Sequence, residues 1–457
     1  MTNTELLARD TAHLIHPLHD ARAQQAARVW VRGTGATLTD ADGREYIDGL
    51  SGLWNVLVGH GRRELAEAAA TQAQTLAYAS GYTGSSNQPA IELAEQLAEI
   101  TYPSINRFFF TSGGGEATES SIKMARAYWK LNGRPKKTKV ISRIEGYHGV
   151  TMAAMSATGL SAYWPLFEPR VPGFIHIPSP YPYRYQAPAG VSQGLAAANE
   201  LEQAIQREGA DTVAMFLAEP VQGAGGVIVP QDDYFPRIRE ICNQYDVLLV
   251  ADEVITGFRW SPGGLQQRIG IDPDLCTLAK ILTGGLPGGA VAGREDVMQV
   301  MVQTGDRQHD RHERVLHGGT FNANPYCAAT GNAALNIVAT GEMQANADRM
   351  AERLRVGLRE IVDRYEVAAC VYGESSTFHI FFGAKSIDGL DANSLKSAPP
   401  EVQTNFRQGL QVRGVDLMSR TSGVLSGVHT EADINQSLEA FDGTIKAMMD
   451  EGLISHE

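Results

Sequence analysis

Val213–Leu217 (VAMFL), Phe235–Tyr245 (FPRIREICNQY) and Val247–Ala251 (VLLVA) decide the fold of this chain. Two short, uninterrupted apolar runs separated by a helical stretch are the pattern of parallel strands buried on both faces. The alternation continues outward. Arg107–Thr111 (RFFFT) reads as a strand, Glu116–Leu131 as a helix, Lys139–Ser142 as a strand and Leu201–Arg207 as a helix. The fold class expected is therefore α/β, a mainly parallel sheet covered by helices on both faces.

The flanks read differently. Ala36–Ile47 (ATLTDADGREYI) has two β-prone runs around Asp42-Gly43, a hairpin signal. Arg63–Tyr78 and Ala90–Ile100 are Ala-rich with helical spacing. Asn332–Val362 carries long helical patterns, and beyond about residue 365 short apolar runs alternate with loops up to a helix near Ile434–Met449. The expected division is an N-terminal segment over 1–60, a large domain over 61–330 and a smaller α+β C-terminal domain over 331–457. A chain of 457 residues is long enough for two such domains.

Composition sets limits on function. Hydrophobic residues make up 43% and charged residues 20%, near the averages for a soluble globular protein. A net charge of -13 repels phosphate backbones, so no nucleic-acid partner is expected. Cys242, Cys276, Cys327 and Cys370 are scattered singly, as in proteins of a reducing compartment. The start has no basic region followed by an apolar run, and no stretch approaches the roughly 20 apolar residues of a membrane span. The chain is therefore expected to be cytoplasmic, without a membrane partner. The twelve histidines show no metal-ligand spacing, so no metal is expected.

Candidate chemistry gathers where strands end. Asp252 and Glu253 follow the second buried run directly. A carboxylate there is costly without a partner. A cationic ring nitrogen would serve, and so would a helix cap or a salt bridge. Pro273–Gly289 (PDLCTLAKILTGGLPGG) sets Lys280 in an apolar stretch before a Gly-rich turn. Partial desolvation would lower its pKa and make the amine nucleophilic, although a lysine snorkelling from a strand end has the same pattern. Thr111–Glu116 (TSGGGE) falls between a strand and a helix, where exposed N–H groups can hold an anion or simply form a turn. Gly146–Gly149 (GYHG) and His317–Thr320 (HGGT) offer a stacking tyrosine and a phosphate-reaching hydroxyl, or ordinary loop packing. An amine, a carboxylate, an aromatic and an anion cradle are together what pyridoxal phosphate (PLP) needs. The absence of a GxGxxG run argues against a nicotinamide dehydrogenase, the distant alternative.

Leu217–Gly226 (LAEPVQGAGG), Val247–Gly257 (VLLVADEVITG) and Pro273–Gly285 (PDLCTLAKILTGG) resemble the class III PLP-dependent aminotransferases. Gly49–Trp54 (GLSGLW) and Gly225–Tyr234 (GGVIVPQDDY) are similar to ω-amino acid and amine:pyruvate aminotransferases. Gly257–Gly264 (GFRWSPGG) and His317–Pro325 (HGGTFNANP) resemble glutamate-1-semialdehyde aminomutase and related β-amino acid aminotransferases. The resemblance implies PLP fold type I, with the large domain binding the cofactor and both chain ends building the small one. It implies a homodimer with active sites at the interface.

The resemblance also implies roles. Lys280 matches the Schiff-base lysine and Asp252 the partner of the pyridine nitrogen. Gly114 and Gly115 match a phosphate-binding Gly-Ser pair, a glycine replacing the serine. Tyr147 matches the ring-stacking aromatic, Val254 the apolar residue behind the ring, and Glu219 a carboxylate near the cofactor. Thr320 matches a threonine that reaches the phosphate of the neighbouring subunit, Trp54 an aromatic of the substrate pocket, and Arg420 an arginine that grips a substrate carboxylate. The implied activity is transfer of an amino group from a primary amine or an ω- or β-amino acid to a keto acid such as pyruvate. An aminomutase is the nearest alternative, and another PLP enzyme a more distant one.

Overall fold

The structure is a computed structural model. It describes all residues except 17, 19–26, 83, 183–184, 385–398, 418–420 and 456–457. Arg420 therefore lies outside the described residues.

In chain order the strands are β1 (Trp30–Thr34), β2 (Thr37–Asp40), β3 (Glu45–Asp48), β4 (Arg107–Thr111), β5 (Lys139–Arg143), β6 (Phe174–Ile177), β7 (Val213–Ala218), β8 (Leu248–Asp252), β9 (Leu275–Ala279), β10 (Gly289–Gly293), β11 (Ala369–Tyr372), β12 (Thr377–Phe382), β13 (Val415–Asp416) and β14 (Ser422–Val424). The helices used below are α1 (Arg63–Thr75), α2 (Gln88–Ile100), α3 (Gly114–Leu131), α4 (Met152–Ala157), α5 (Gln193–Glu208), α6 (Tyr234–Gln244), α7 (Pro325–Val338), α8 (Glu342–Arg364), α9 (Pro400–Val412) and α10 (Glu431–Asp450).

The chain forms two compact units. One consists of Met1–Arg62, Ala345–Ser386 and Ser397–Glu457. Its hairpin β2–β3 pairs antiparallel around Gly43, whose φ of 82° suits the turn. β13 adds parallel to β3, so the two ends of the chain share one sheet. A second sheet has the order β11-β12-β14. The core here joins Leu354, Leu358 and Ile361 of α8 to Phe406 of α9 and Phe441 of α10. α10 starts at a capping box in which Thr430 and Asp433 satisfy each other's backbone N–H groups.

The other unit, built on Arg63–Gln344, holds a seven-stranded sheet of order β4-β10-β9-β8-β7-β5-β6. β5 to β9 pair in parallel, and β10 runs antiparallel to both of its neighbours. All residues of β7, β8 and β9 are buried, which is why β7 and β8 up to Ala251 read as unbroken apolar runs. α5 and α6 pack Leu201, Ile205, Ile238 and Ile241 against Phe216 and Leu249. α3 packs Ile122, Met124 and Ala125 against Met215, Leu217 and Val250.

Two features differ from the reading of the sequence. β10, GAVAG, has no β-branched or aromatic majority to announce it. Its small residues answer to close packing, since a Cβ on Gly289 would lie 2.7 Å from the carbonyl oxygen of Gly113. The boundary near residue 330 also moves. α7 packs on α1 and α2, and the segment up to Gln344 groups with the large unit.

Candidate active site

Three neighbouring parallel strands deliver the reactive groups. Registers pair Ala218 with Ala251 and Asp252 with Thr277. Glu219 follows β7, Asp252 ends β8, and Lys280 follows β9. All three stand at the carboxyl ends of these strands, the general location of ligand sites in open α/β sheets.

Asp252 is buried with its hydrogen-bonding capacity largely used. Its Oδ2 lies 2.7 Å from Nδ1 of His148, which is also buried. Its Oδ1 accepts from the Thr277 hydroxyl at 3.0 Å and from the Val254 N–H at 3.1 Å. Three partners orient one carboxylate, the arrangement needed if it is to face a cation in a fixed direction.

Lys280 has φ 54°, in the left-handed region that a residue with a side chain rarely occupies. Such strain costs on the order of 1–3 kcal/mol and persists only where surrounding structure enforces it. Here the buried strand Leu275–Ala279 and the short 3-10 turn Lys280–Thr283 enforce it. Burial holds the lysine below its ordinary pKa. Asp252 and Glu219 pull it back up, and Arg259 adds to the lowering. The result is an amine more easily deprotonated than a surface lysine, yet attracted to two carboxylates.

Glu219 is buried, and burial pushes its carboxyl up, while His148 pulls it down and Asp252 raises it. Its Oε1 accepts from the Tyr147 N–H at 2.9 Å and its Oε2 from the Gly223 N–H at 3.0 Å. Glu219 thus fixes the backbone that carries Tyr147. The Tyr147 ring sits 6.0 Å from that of Tyr163.

The first turn of α3 contains Gly114 and Gly115. Gly113 precedes it, and no side chain caps the helix there, so the leading N–H groups lack a local acceptor of that kind. A Cβ on Gly113 would meet nothing within 4 Å, and one on Gly115 only Gly149 Cα and Val150 N at 3.9 Å. A Cβ on Gly114 would strike the Val254 methyls at 2.8 and 2.9 Å. Gly114 therefore packs against Val254, two residues beyond Asp252.

The remaining residues stand elsewhere. Thr320 lies on an exposed loop, where its carbonyl accepts from the Tyr78 hydroxyl at 2.7 Å. Trp54 belongs to the smaller unit, where it is buried with φ 66°. Sequence reasoning missed His148, Thr277 and Tyr163. His148 stood beside Tyr147 in the GYHG run, and Thr277 was the hydroxyl three positions before Lys280. Tyr163 carried no signal. Among the described residues no cluster of His, Cys, Asp and Glu could hold a metal, and no helix is long and apolar enough to cross a membrane.

Comparison with known proteins places this geometry in a family. The model of the class III aminotransferases matches residues 19–391. A putrescine–pyruvate aminotransferase of Pseudomonas aeruginosa is 38% identical over 71% of this chain and 70% of its own. A β-alanine–pyruvate aminotransferase of the same species is 37% identical over 73% and 75%. An (S)-enantioselective ω-transaminase from Thermomicrobium roseum superimposes with a TM-score of 0.88 at 36% identity, covering 98% of this chain and 100% of its own. With a half-buried lysine and a buried aspartate on adjacent strand ends and a family match over most of its length, the chain belongs to the class III aminotransferases, which are PLP-dependent enzymes of fold type I.

Proposed function

We propose that this enzyme moves an amino group from a primary amine or an ω- or β-amino acid to a keto acid such as pyruvate, with Lys280 as the residue that binds the cofactor. The observation that carries the reading is the placement of Glu219, Asp252 and Lys280 on three adjoining strand ends, with burial lowering the lysine's pKa. The named activities of the putrescine–pyruvate and β-alanine–pyruvate relatives support this substrate range. These relatives are aminotransferases, so the aminomutase alternative has no support among them.

The residues present fit PLP. The open space over Gly113 and Gly115 leaves an uncapped helix start free for a phosphate dianion. Asp252 offers a buried carboxylate, and Lys280 a desolvated amine. When bound, the cofactor supplies an aldehyde that takes up an amine and a ring that accepts electrons. Lys280 Nζ would hold the aldehyde and, as a free amine, would accept the proton from the donor's amine-bearing carbon. The lowered pKa keeps Nζ able to accept that proton. Asp252, steered by His148 and Thr277, would keep the ring nitrogen protonated. Tyr147, whose backbone N–H is fixed by Glu219, and Val254 would hold the ring between them.

From the family resemblance of their segments, Trp54 is assigned to recognition of the amine donor and Arg420 to that of a substrate carboxylate. Thr320 serves the phosphate site of a second copy in a homodimer. Exposed Leu316 and Phe321, 64% and 62% accessible, flank the Thr320 loop, and such apolar surface suits a second subunit. We place the enzyme in the cytoplasm, a location consistent with four cysteines that form no disulfide.

The test is a panel of donors with pyruvate, including putrescine, β-alanine and an arylalkyl amine. Alanine should form in step with pyruvate consumed for at least one donor. No alanine from any donor, using cofactor-loaded enzyme, would overturn the substrate assignment.

A further inference from the structure

His317 opens the loop that carries Thr320, and three contacts tie it to its surroundings. Lys123 Nζ lies 2.7 Å from His317 Nδ1. Ser120 Oγ lies 2.9 Å from His317 Nε2. Ser120 Oγ also donates to the Glu116 carbonyl at 2.7 Å. The Phe109 ring packs edge-on against the imidazole at 5.7 Å.

These contacts determine the tautomer. Ser120 has one hydroxyl hydrogen, and the Glu116 carbonyl takes it. Oγ must then accept from His317, so Nε2 carries a hydrogen. Lys123 is an ammonium and can only donate, so Nδ1 must carry a lone pair. His317 is therefore the neutral Nε2–H form. Protonation of Nδ1 would abolish the acceptor and set two cations face to face.

The far side of the loop is held separately. The Tyr78 hydroxyl donates to the Thr320 carbonyl, Asn87 Nδ2 to the Ala323 carbonyl at 2.9 Å, and the Phe321 and Tyr78 rings meet edge-on at 6.2 Å. None of those contacts reaches α3. Within this set, the imidazole alone connects the loop to the helix whose first turn contains Gly114 and Gly115.

We propose that His317 is a positioning residue: in its neutral form it staples the Thr320 loop to α3, and in its protonated form it lets the loop go. The functional consequence rests on the reading of Thr320 and of the α3 cradle as phosphate ligands. In an assembly where each Thr320 reaches the partner's cofactor, the staple aligns the donor of one site with the helix that forms the other.

The groups facing the imidazole give the pH dependence. Burial and Lys123 hold His317 below its ordinary pKa, against Glu116 and Glu119, which favour the cation. The unfolded or released histidine titrates at about pH 6.5. The staple is therefore complete above that value and is lost as pH falls through the lower value of the docked ring.

The experiment uses full-length, PLP-loaded enzyme and the variants His317→Gln and Lys123→Met. Gln keeps a donor for Ser120 and does not titrate. Hydrogen exchange is followed in the peptide covering the Thr320 loop, relative to an unrelated surface loop, at about pH 8 and about pH 5.5. Cofactor release is followed in parallel by absorbance after gel filtration. Wild type should lose loop protection at the acid pH, and cofactor release should quicken by about tenfold, the worth of one charge-assisted hydrogen bond. His317→Gln should show no acid step in either readout. Lys123→Met should have a less protected loop at neutral pH and no further acid loss. An acid step that persists in His317→Gln, or its absence in wild type, overturns the staple. A loop that behaves as expected while cofactor release stays constant overturns the phosphate role of Thr320 and leaves the staple standing.

Discussion

Replacing Asp252 with Asn separates chemistry from folding at this site. The two side chains have nearly the same shape. The amide oxygen of the variant can still accept from Thr277 and from the Val254 N–H, which now bind Asp252 at 3.0 and 3.1 Å. The amide nitrogen would donate to His148 Nδ1, now 2.7 Å from Oδ2, once that histidine moves its proton to Nε2. The network stays satisfied, and the melting temperature of the apo-protein should change little. The charge proposed to face the cofactor ring nitrogen is lost, however. An ion pair about 4 Å apart at an effective dielectric of about 20 is worth about 4 kcal/mol. At roughly 1.4 kcal/mol per decade, that is about a thousandfold in the proton-abstraction step. Stopped-flow absorbance of the half-reaction between donor and PLP-loaded enzyme, with pyruvate omitted, reads that step directly. A variant that folds, binds cofactor and runs the half-reaction within about tenfold of wild type would refute the assignment of Asp252 to the ring nitrogen.

Gly114→Ala should weaken cofactor binding about tenfold with little loss of overall stability. Its methyl would need to displace Val254, the residue proposed to lie behind the ring, and overpacking of this kind costs roughly 1–3 kcal/mol; titration of apo-enzyme with PLP measures the effect, and an unchanged affinity removes the cradle argument. Lys280→Met should abolish the half-reaction, while the apo-variant unfolds at higher urea than apo-wild type at neutral pH. The sign follows from linkage. The folded lysine binds its proton less tightly than the unfolded one, so burying it opposes folding below the ordinary lysine value of 10.5, and the gap should close as pH rises to that value. Urea titrations across that range, showing wild type the more stable at neutral pH, would contradict the burial of Lys280.

Much of this protein is local and could be read in one dimension. β4 runs over Arg107–Thr111 as its alternating neighbours suggested, and the Asp42-Gly43 turn joins the two strands of its hairpin. Strands buried on both faces must be apolar throughout, so VAMFL and VLLVA announce themselves without any partner being known. The polar residue that ends such a run is equally visible, because nothing in the run would tolerate it. That is why Asp252 and Lys280 stood out, and the three segments around them sufficed to reveal the family. Tertiary structure decided what no single segment carries. His148 meets Asp252 across 104 positions, and Lys123 meets His317 across 194. Each contact depends on strand order and on the path of a helix, and neither leaves a periodicity in the chain. The strained backbone at Lys280 and the bare glycines of β10 belong with them. They answer to the space left by neighbours, and that space exists only once β4, β9 and β10 have paired.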